Sequence, residues 1–241
     1  LGVFLLISII LFSSLAIASE VVLTGTSVVS PFNVTNASNG PSGGVPVLAL
    51  KIWDTSSSTL DSFIVSVGNL TDSFSGDGDL ASLSAGSTSG LQLYKDSNSN
   101  GIYESGTDGR LTYSISDWSA ITNHMQNVTF SGISGLTLPS TVPSTANVFV
   151  VIKTAATPSS EAQFNVSILK GAVKSSGNAT GTTNSTDVSS GKINIDTENP
   201  DLSSQGTITL INDTDRDGYV DQVVMFFSEN INDYIISVTG F

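Results

Sequence analysis

Apolar and polar residues alternate along short segments of this chain, and this pattern limits its fold more than any other feature. Between residues 163 and 168, apolar Phe164, Val166 and Ile168 alternate with polar neighbours. Successive side chains of a strand point to opposite faces, so this spacing predicts a strand with one buried face. Residues 148–152 are apolar throughout, which is typical of a central strand covered on both faces. The chain is therefore predicted to fold into sheets, with little helix.

Other segments carry weaker versions of the same signals. Residues 45–52 and 60–67 predict two strands that are joined as a hairpin or lie side by side in one sheet. Residues 24–44, with several Pro, Asn and Gly, predict an irregular linker. Residues 118–125 predict a short helical turn.

Composition narrows the class of protein. The chain has 241 residues, 39% of them hydrophobic, which is enough for one large β domain or two smaller ones. Lys and Arg total 8 against 21 Asp and Glu, a formal charge of −13 that disfavours nucleic acid and anionic membranes as partners. Cysteine is absent, so packing and bound metal are left to stabilise a secreted chain of this kind.

Residues 96–108 carry oxygen-bearing side chains at every second position before a glycine, which is the spacing of a calcium loop. Calcium takes about six to eight oxygen ligands, and alternate residues of a tight loop can supply them. The predicted ligands are Asp96, Asn98, Asn100, the carbonyl of Ile102, Glu104 and Asp108. An EF-hand has a bidentate Glu where Thr107 stands, so Asp108 is predicted to replace it. The alternative is a polar hairpin turn without metal, because Asp, Asn, Ser and Gly are common turn residues.

A second loop of the same kind occupies residues 213–221. The predicted ligands are Asp213, Asp215, Asp217, the carbonyl of Tyr219 and Asp221, with Gly218 at the turn. Four carboxylates this close repel one another unless a cation lies among them. Strand-like segments flank the first loop, which is therefore predicted to join two strands and not the two helices of an EF-hand; residues 222–227 predict a hydrophobic strand after the second loop.

The chain divides into three predicted parts. Residues 1–18 are an apolar run ending in Ala16-Ile17-Ala18, which predicts a signal peptide whose basic n-region is missing. Residues 19–196 are predicted to form a β-sandwich domain with the first calcium loop. Residues 197–241 begin at a Pro-containing linker and predict the start of a second, incomplete Ig-like β module with the second loop.

No arrangement of residues indicates catalysis, and we expect no enzyme activity. The one histidine, His124, has no cysteine to act with, and the clustered acids are already explained by the two loops.

Glycosylation is predicted from eight Asn-x-Ser/Thr sequons. They start at Asn33, Asn36, Asn69, Asn127, Asn165, Asn178, Asn184 and Asn212. Asn127 and Asn165 are the favoured sites, because both are expected on the solvent face of strands.

Two segments carry a resemblance to a known class. Leu-Tyr-Lys-Asp-Ser-Asn-Ser-Asn-Gly-Ile-Tyr-Glu (93–104) and Asp-Arg-Asp-Gly-Tyr-Val-Asp-Gln-Val-Val-Met-Phe-Phe-Ser-Glu (215–229) resemble modules of large prokaryotic secreted or surface-layer proteins. In that class, calcium-loaded Ig-like β-sandwiches follow one another in tandem. The resemblance covers the two loops and their neighbouring strands, and it implies an all-β Ig-like or Greek-key sandwich with calcium loops.

The predicted function is that of a non-catalytic, calcium-stabilised structural or adhesive protein of the cell surface. Cell-envelope polysaccharide and neighbouring surface subunits are the expected partners. One alternative is a carbohydrate-binding accessory region of a secreted polysaccharide-degrading enzyme. Another is a type IV pilin-like filament subunit that retains the apolar N-terminal segment as a helix.

Overall fold

The computed structural model describes most of the chain between Val21 and Val224. The described residues are 21–27, 32–35, 44–54, 58–70, 74–140, 144–159, 162–176, 184–196, 210–212, 214–218 and 222–224. The chain divides into two compact units, Leu1–Asp196 and Thr197–Phe241. The predicted signal peptide lies outside the described residues.

Regular structure in the described part of the first unit is almost entirely β-strand, with one short helix, α1 (Gly76–Asp79). The strands are β1 (Val21–Ser27), β2 (Phe32–Thr35), β3 (Val45–Asp54), β4 (Ser58–Asn69), β5 (Leu91–Lys95), β6 (Gly109–Arg110), β7 (Thr112–Ile115), β8 (Met125–Ser134), β9 (Thr137–Leu138), β10 (Ala146–Ile152), β11 (Gln163–Ile168), β12 (Val173–Ser176), β13 (Val188–Ser189) and β14 (Ile193–Asp196).

These strands form two sheets. Sheet I has the order β1-β3-β10-β5-β6. Sheet II has the order β2-β14-β11-β4-β8-β7, while β9 and β12 also pair with β4, and β13 pairs with β11. Within these sheets β2 and β14 run parallel, and the other paired strands run antiparallel.

The apolar faces of the two sheets pack against each other in one core. Leu50 and Val148 of sheet I belong to the same buried cluster as Phe63, Phe130 and Phe164 of sheet II. The chain crosses between the sheets after β1, β2, β3, β4, β6, β9 and β10, so strands that follow one another in sequence often lie in opposite layers, as they do in Ig-like sandwiches. The predicted all-β sandwich class is confirmed.

Period-two alternation located the buried faces correctly. Phe164, Val166 and Ile168 of β11 are fully buried, and Val128 and Phe130 of β8 are buried as well. β10 lies between β3 and β5 in sheet I, and both of its faces are covered. The prediction of a central strand at this position is confirmed.

The prediction that residues 45–52 and 60–67 pair as a hairpin or as neighbours is wrong. β3 pairs with β1 and β10 in sheet I, whereas β4 pairs with β8, β11, β9 and β12 in sheet II. Both segments carry a buried apolar face. By crossing from one layer to the other, the chain lets these two faces meet inside the core.

Two local predictions are also corrected. Residues 24–44 are not an irregular linker throughout, because β1 extends to Ser27 and β2 forms within them. Both strands depend on pairing with β3 and β14, which local composition does not reveal. Residues 118–125 contain no helix. Asn123 (φ 51°) and His124 (φ 60°) instead form a tight turn between Thr122 and Met125, and two left-handed residues in succession are typical of a two-residue hairpin turn.

The described part of the second unit is a β-hairpin. Strands β15 (Leu210–Asn212) and β16 (Gln222–Val224) pair antiparallel and flank the second predicted loop. Across the described part of the whole chain, no helix has the length and apolar character needed to span a membrane.

Candidate metal-binding loops

The first predicted loop closes a hairpin at the edge of sheet I. β5 enters it and β6 leaves it, with Tyr94 opposite Arg110 and Lys95 opposite Gly109. The prediction that this loop joins two strands is confirmed. Leu111 then carries the chain toward sheet II, and its backbone N–H still donates to the carbonyl of Leu93.

Two residues with positive φ curl the backbone of this loop. Ser99 has φ 58° and Gly101 has φ 76°. Glycine adopts this conformation at little cost, whereas a residue with a Cβ is strained there. The curl brings the backbone N–H groups of Asn100 and Gly101 within hydrogen-bonding distance of the Asp96 carboxylate.

Asp96 is the buried anchor of the loop. Its side chain is 3% exposed, and its two oxygens accept hydrogen bonds from the backbone N–H groups of Asn100 (3.3 Å) and Gly101 (2.8 Å). Oδ2 also accepts from Nδ2 of Asn147, on β10, at 3.2 Å. Asn147, which the sequence did not indicate, thus ties the loop to the centre of sheet I.

Asn98, Asn100 and Glu104 are held together on the exposed side of the loop. Nδ2 of Asn98 and Nδ2 of Asn100 both donate to Oε2 of Glu104, at 2.7 and 2.9 Å. Oδ1 of Asn98 accepts from the N–H of Asn100, and Oδ1 of Asn100 accepts from the N–H of Ile102. The side chain of Ile102 is 64% exposed. The predicted metal ligand of this residue is its backbone carbonyl oxygen.

Asp108 closes the other end of the loop. It is buried, with Oδ1 accepting from the backbone N–H of Ser97 (3.0 Å) and Oδ2 from that of Glu104 (2.8 Å). Hydrogen bonds therefore connect all five predicted side-chain ligands within one loop. Over the part of the chain that the structure describes, no group of three or more Asp, Glu, His or Cys side chains is arranged to hold a metal ion.

The second loop repeats the conformation of the first over the positions that can be compared. Arg216 (φ 61°) and Gly218 (φ 93°) match Ser99 and Gly101 in both spacing and sign of φ. The N–H of Asp217 donates to Oδ1 of Asp215 at 3.1 Å, just as Asn100 donates to Asn98 at 3.2 Å. Asp215 and Asp217 are exposed. The other predicted ligands of this loop, Asp213, Tyr219 and Asp221, lie outside the described residues.

Tyr103 is a residue of the first loop that the sequence did not single out. Its ring makes edge contacts with Tyr94 (centroids 5.1 Å apart) and Phe149 (5.8 Å). These rings and Val151 form a small apolar cluster, separate from the main core, on the face of sheet I that points away from sheet II. The loop thus covers an apolar patch of its own sheet.

No family model and no curated protein matches the chain. Among solved structures, self-complemented MyfA, the major subunit of Myf fimbriae from Yersinia enterocolitica, aligns with 72% of this chain and 98% of its own, at 11% identity and a TM-score of 0.26. A structure of AAF fimbriae from enteroaggregative Escherichia coli aligns with 73% of this chain and 98% of its own, at 16% identity and a TM-score of 0.23. A DUF4466 family protein from Parabacteroides merdae aligns with 71% of this chain and 42% of its own, at 14% identity and a TM-score of 0.27. Scores of this size do not establish a shared fold, so the sandwich described above rests on its own strands and core.

The structure separates the sequons by the surroundings of their asparagines. Asn127 is exposed on β8, as expected, and Asn165 on β11 is half-buried beside Ser189. Asn184 is fully buried, and its side chain donates to the carbonyls of Leu169 and Thr186 and accepts from the N–H of Val173. A glycan at Asn184 is therefore incompatible with the fold, while glycosylation of Asn127 and Asn165 stays a prediction.

The phenol of Tyr103 should make the fold sensitive to alkaline pH. Burial raises the pKa of Tyr103 well above its usual range, and the nearby Tyr94 and Asp108 add to the rise. Above a pH of about 10 the unfolded chain loses this proton and the folded chain keeps it, so stability should fall as the pH rises further. Tyr103→Phe should make that fall less steep in denaturant titrations at a series of pH values. An equal slope in the two proteins would show that this phenol is not responsible.

Proposed function

We propose that this chain is a non-catalytic structural or adhesive protein of the cell surface, and that calcium bound in its two hairpin loops stabilises it. The proposed ligands are Asp96, Asn98, Asn100, Ile102, Glu104 and Asp108 in the first loop, and Asp213, Asp215, Asp217, Tyr219 and Asp221 in the second. Neighbouring surface subunits and cell-envelope polysaccharide are the proposed partners.

The observation that carries the calcium proposal is the shared conformation of the two loops. Both loops have the same pair of positive-φ residues and the same side-chain to backbone hydrogen bond, and both have oxygen-bearing side chains at alternate positions before the glycine. Calcium supplies a reason for this pattern, because oxygens from alternate residues must converge on one point.

The donor set of the first loop also suits calcium. All of the proposed ligand atoms are oxygens, which a hard dication prefers. Oδ1 of Asn98 and Oδ1 of Asn100 each accept an N–H from the loop backbone, and a carbonyl oxygen has a second lone pair that a cation can use. The amide nitrogens of both residues now donate to Glu104, so a cation would compete with these two bonds for the Glu104 carboxylate.

A stiff surface module is the role that this arrangement supports. Asp96 ties the loop to β10 through Asn147, and Tyr103 ties it to Phe149 of the same strand. Calcium that fixes the loop would therefore also restrict motion of β10 and of the apolar cluster on the outer face of sheet I. The excess of acidic residues fits an extracellular setting in which divalent cations are abundant.

Calcium should raise the melting temperature of the protein, and a chelator should lower it. Extracellular calcium sites have dissociation constants of about 0.1–1 mM, and calcium at about ten times that value stabilises by roughly 1.4 kcal/mol per site. Asp96→Ala and Asp217→Ala should each remove part of the calcium effect. Asp117→Ala, which removes an exposed carboxylate between β7 and β8, is the matched control and should keep all of it.

Coinciding melting curves in calcium and in chelator would contradict the proposal. The same holds if Asp117→Ala weakens the calcium response as much as Asp96→Ala does, because the effect would then come from general charge screening and not from the loop.

Surface location has a separate test. Lys51 and Lys95 are exposed on the first unit, so an amine reagent that does not cross membranes should label them on intact producing cells. Labelling that appears only after the cells are lysed would place the protein inside and contradict a surface role.

A further inference from the structure

Asn100 is followed by Gly101 in an exposed part of the first loop. Glycine has no side chain to shield its backbone nitrogen. When glycine follows asparagine, this nitrogen can therefore attack the side-chain amide of the asparagine. We propose that Asn100 is a site of spontaneous deamidation, and that the folded loop controls the rate of this modification.

The reaction needs no enzyme. The backbone nitrogen of Gly101 attacks Cγ of Asn100, a C–N bond forms, and the Cγ–Nδ2 bond breaks. Ammonia leaves, taking up the proton that the Gly101 nitrogen loses, and a five-membered imide remains. Water then opens the imide at one of its two carbonyls, which yields aspartate or isoaspartate at position 100.

In the closed loop every group of this reaction is held by a hydrogen bond. The attacking nitrogen of Gly101 donates to Oδ2 of Asp96 at 2.8 Å. The leaving nitrogen of Asn100 donates to Oε2 of Glu104 at 2.9 Å, and its carbonyl oxygen accepts from the N–H of Ile102 at 2.8 Å. The Gly101 nitrogen must leave Asp96 to attack, and the Asn100 amide nitrogen must leave Glu104 to depart, so the reaction reports local opening of the loop.

The product changes the chemistry of the loop. Asn100 occupies the position that Asp217 holds in the second loop, two residues after Asn98 or Asp215 and directly before the glycine. Conversion to aspartate therefore gives the first loop the carboxylate that the second loop already has. Conversion to isoaspartate instead lengthens the backbone at the turn, which should weaken the loop.

The test is peptide mass spectrometry of the whole protein after incubation at mildly alkaline pH with a chelator. Asn98 is a matched internal control, because it is exposed, lies in the same loop and donates to the same Glu104 oxygen, but is followed by Ser99. We expect the mass shift of amide loss at Asn100 to grow severalfold faster than at Asn98. Equal conversion at the two sites, or a stable Asn100 amide in the native protein, would overturn the proposal.

A variant tests whether the loop controls the rate. Asp96→Asn keeps the shape of the side chain but removes its charge, and a hydrogen bond to a charged group is stronger than one to a neutral group. Asn100 should therefore be converted severalfold faster in this variant. Denaturant unfolding of the same sample shows whether the variant is still folded, and an unchanged rate in a folded variant would contradict control by the loop.

Only one arm of the test rests on the calcium proposal. Calcium should slow conversion of Asn100 in the native protein and leave it unchanged in the chain unfolded by urea. If Asn100 is converted in the native protein at a rate that calcium does not alter, the modification site stands and the calcium assignment fails.

Discussion

Replacing Phe130 with alanine should lower the free energy of unfolding by about 3–5 kcal/mol, which is the usual cost of removing a buried phenylalanine ring. The side chain is fully buried between the two sheets. Its ring also meets Tyr113 edge-on, with 4.8 Å between the ring centroids. Equilibrium unfolding in urea, followed by circular dichroism, measures the loss.

Thr129→Ala provides the matched control for this substitution. Thr129 is the preceding residue of β8, and its side chain lies on the half-buried opposite face. Its replacement should cost about 1 kcal/mol or less. Comparable losses for the two variants would show that β8 does not direct Phe130 into a core between the sheets.

Asp54→Ala should lower the free energy of unfolding by about 2–4 kcal/mol, because leaving the buried Ser175 hydroxyl without its acceptor costs about 1–3 kcal/mol and the half-buried Ser58 hydroxyl adds a smaller cost. Asp54 ends β3 in sheet I and is fully buried. Its Oδ2 accepts from the hydroxyls of Ser58 on β4 and Ser175 on β12, both at 2.5 Å and both in sheet II. One carboxylate thus joins the two layers, and the same urea titration measures its contribution.

Two further variants separate the hydrogen bonds from other effects of this substitution. Asp54→Asn keeps an oxygen acceptor of the same shape and should cost less than Asp54→Ala. Asp61→Ala removes an exposed carboxylate from β4 and should be close to neutral. A loss at Asp61 as large as that at Asp54 would mean that charge on sheet II matters, and not a link between the sheets.

Sequence reasoning succeeded where the physical cause is local. The alternation of Phe164, Val166 and Ile168 follows from the two-residue repeat of a strand, and β11 buries these residues as predicted. The spacing of Asp96, Asn98, Asn100 and Gly101 likewise predicted a tight loop between two strands. Each of these signals lies within a few neighbouring residues.

Sequence reasoning failed where the cause lies far away in the chain. β3 and β4 are neighbours in sequence, yet they lie in different sheets. Their pairing partners depend on how the apolar faces of all the strands pack in the core. Tyr103 contacts Phe149, and Asp96 accepts from Asn147, across a distance in sequence that no local pattern spans. The turn at Asn123 was missed for a different reason. Asparagine tolerates a positive φ, but nothing nearby shows that the position requires one.

The pairing of β3 with β10 has a consequence for the order in which the molecule is built. Leu50 meets Val148, nearly a hundred residues later in the chain, and such distant pairings slow folding because a long loop must close first. During synthesis from the N-terminus, β3 has no partner on this side until β10 has emerged. The β5–β6 hairpin, which holds the first loop, needs only about fifteen residues between its paired strands and can form within microseconds. The proposed calcium loop can therefore be in place before sheet I is complete, and β10 later pairs with the β5 strand of this hairpin.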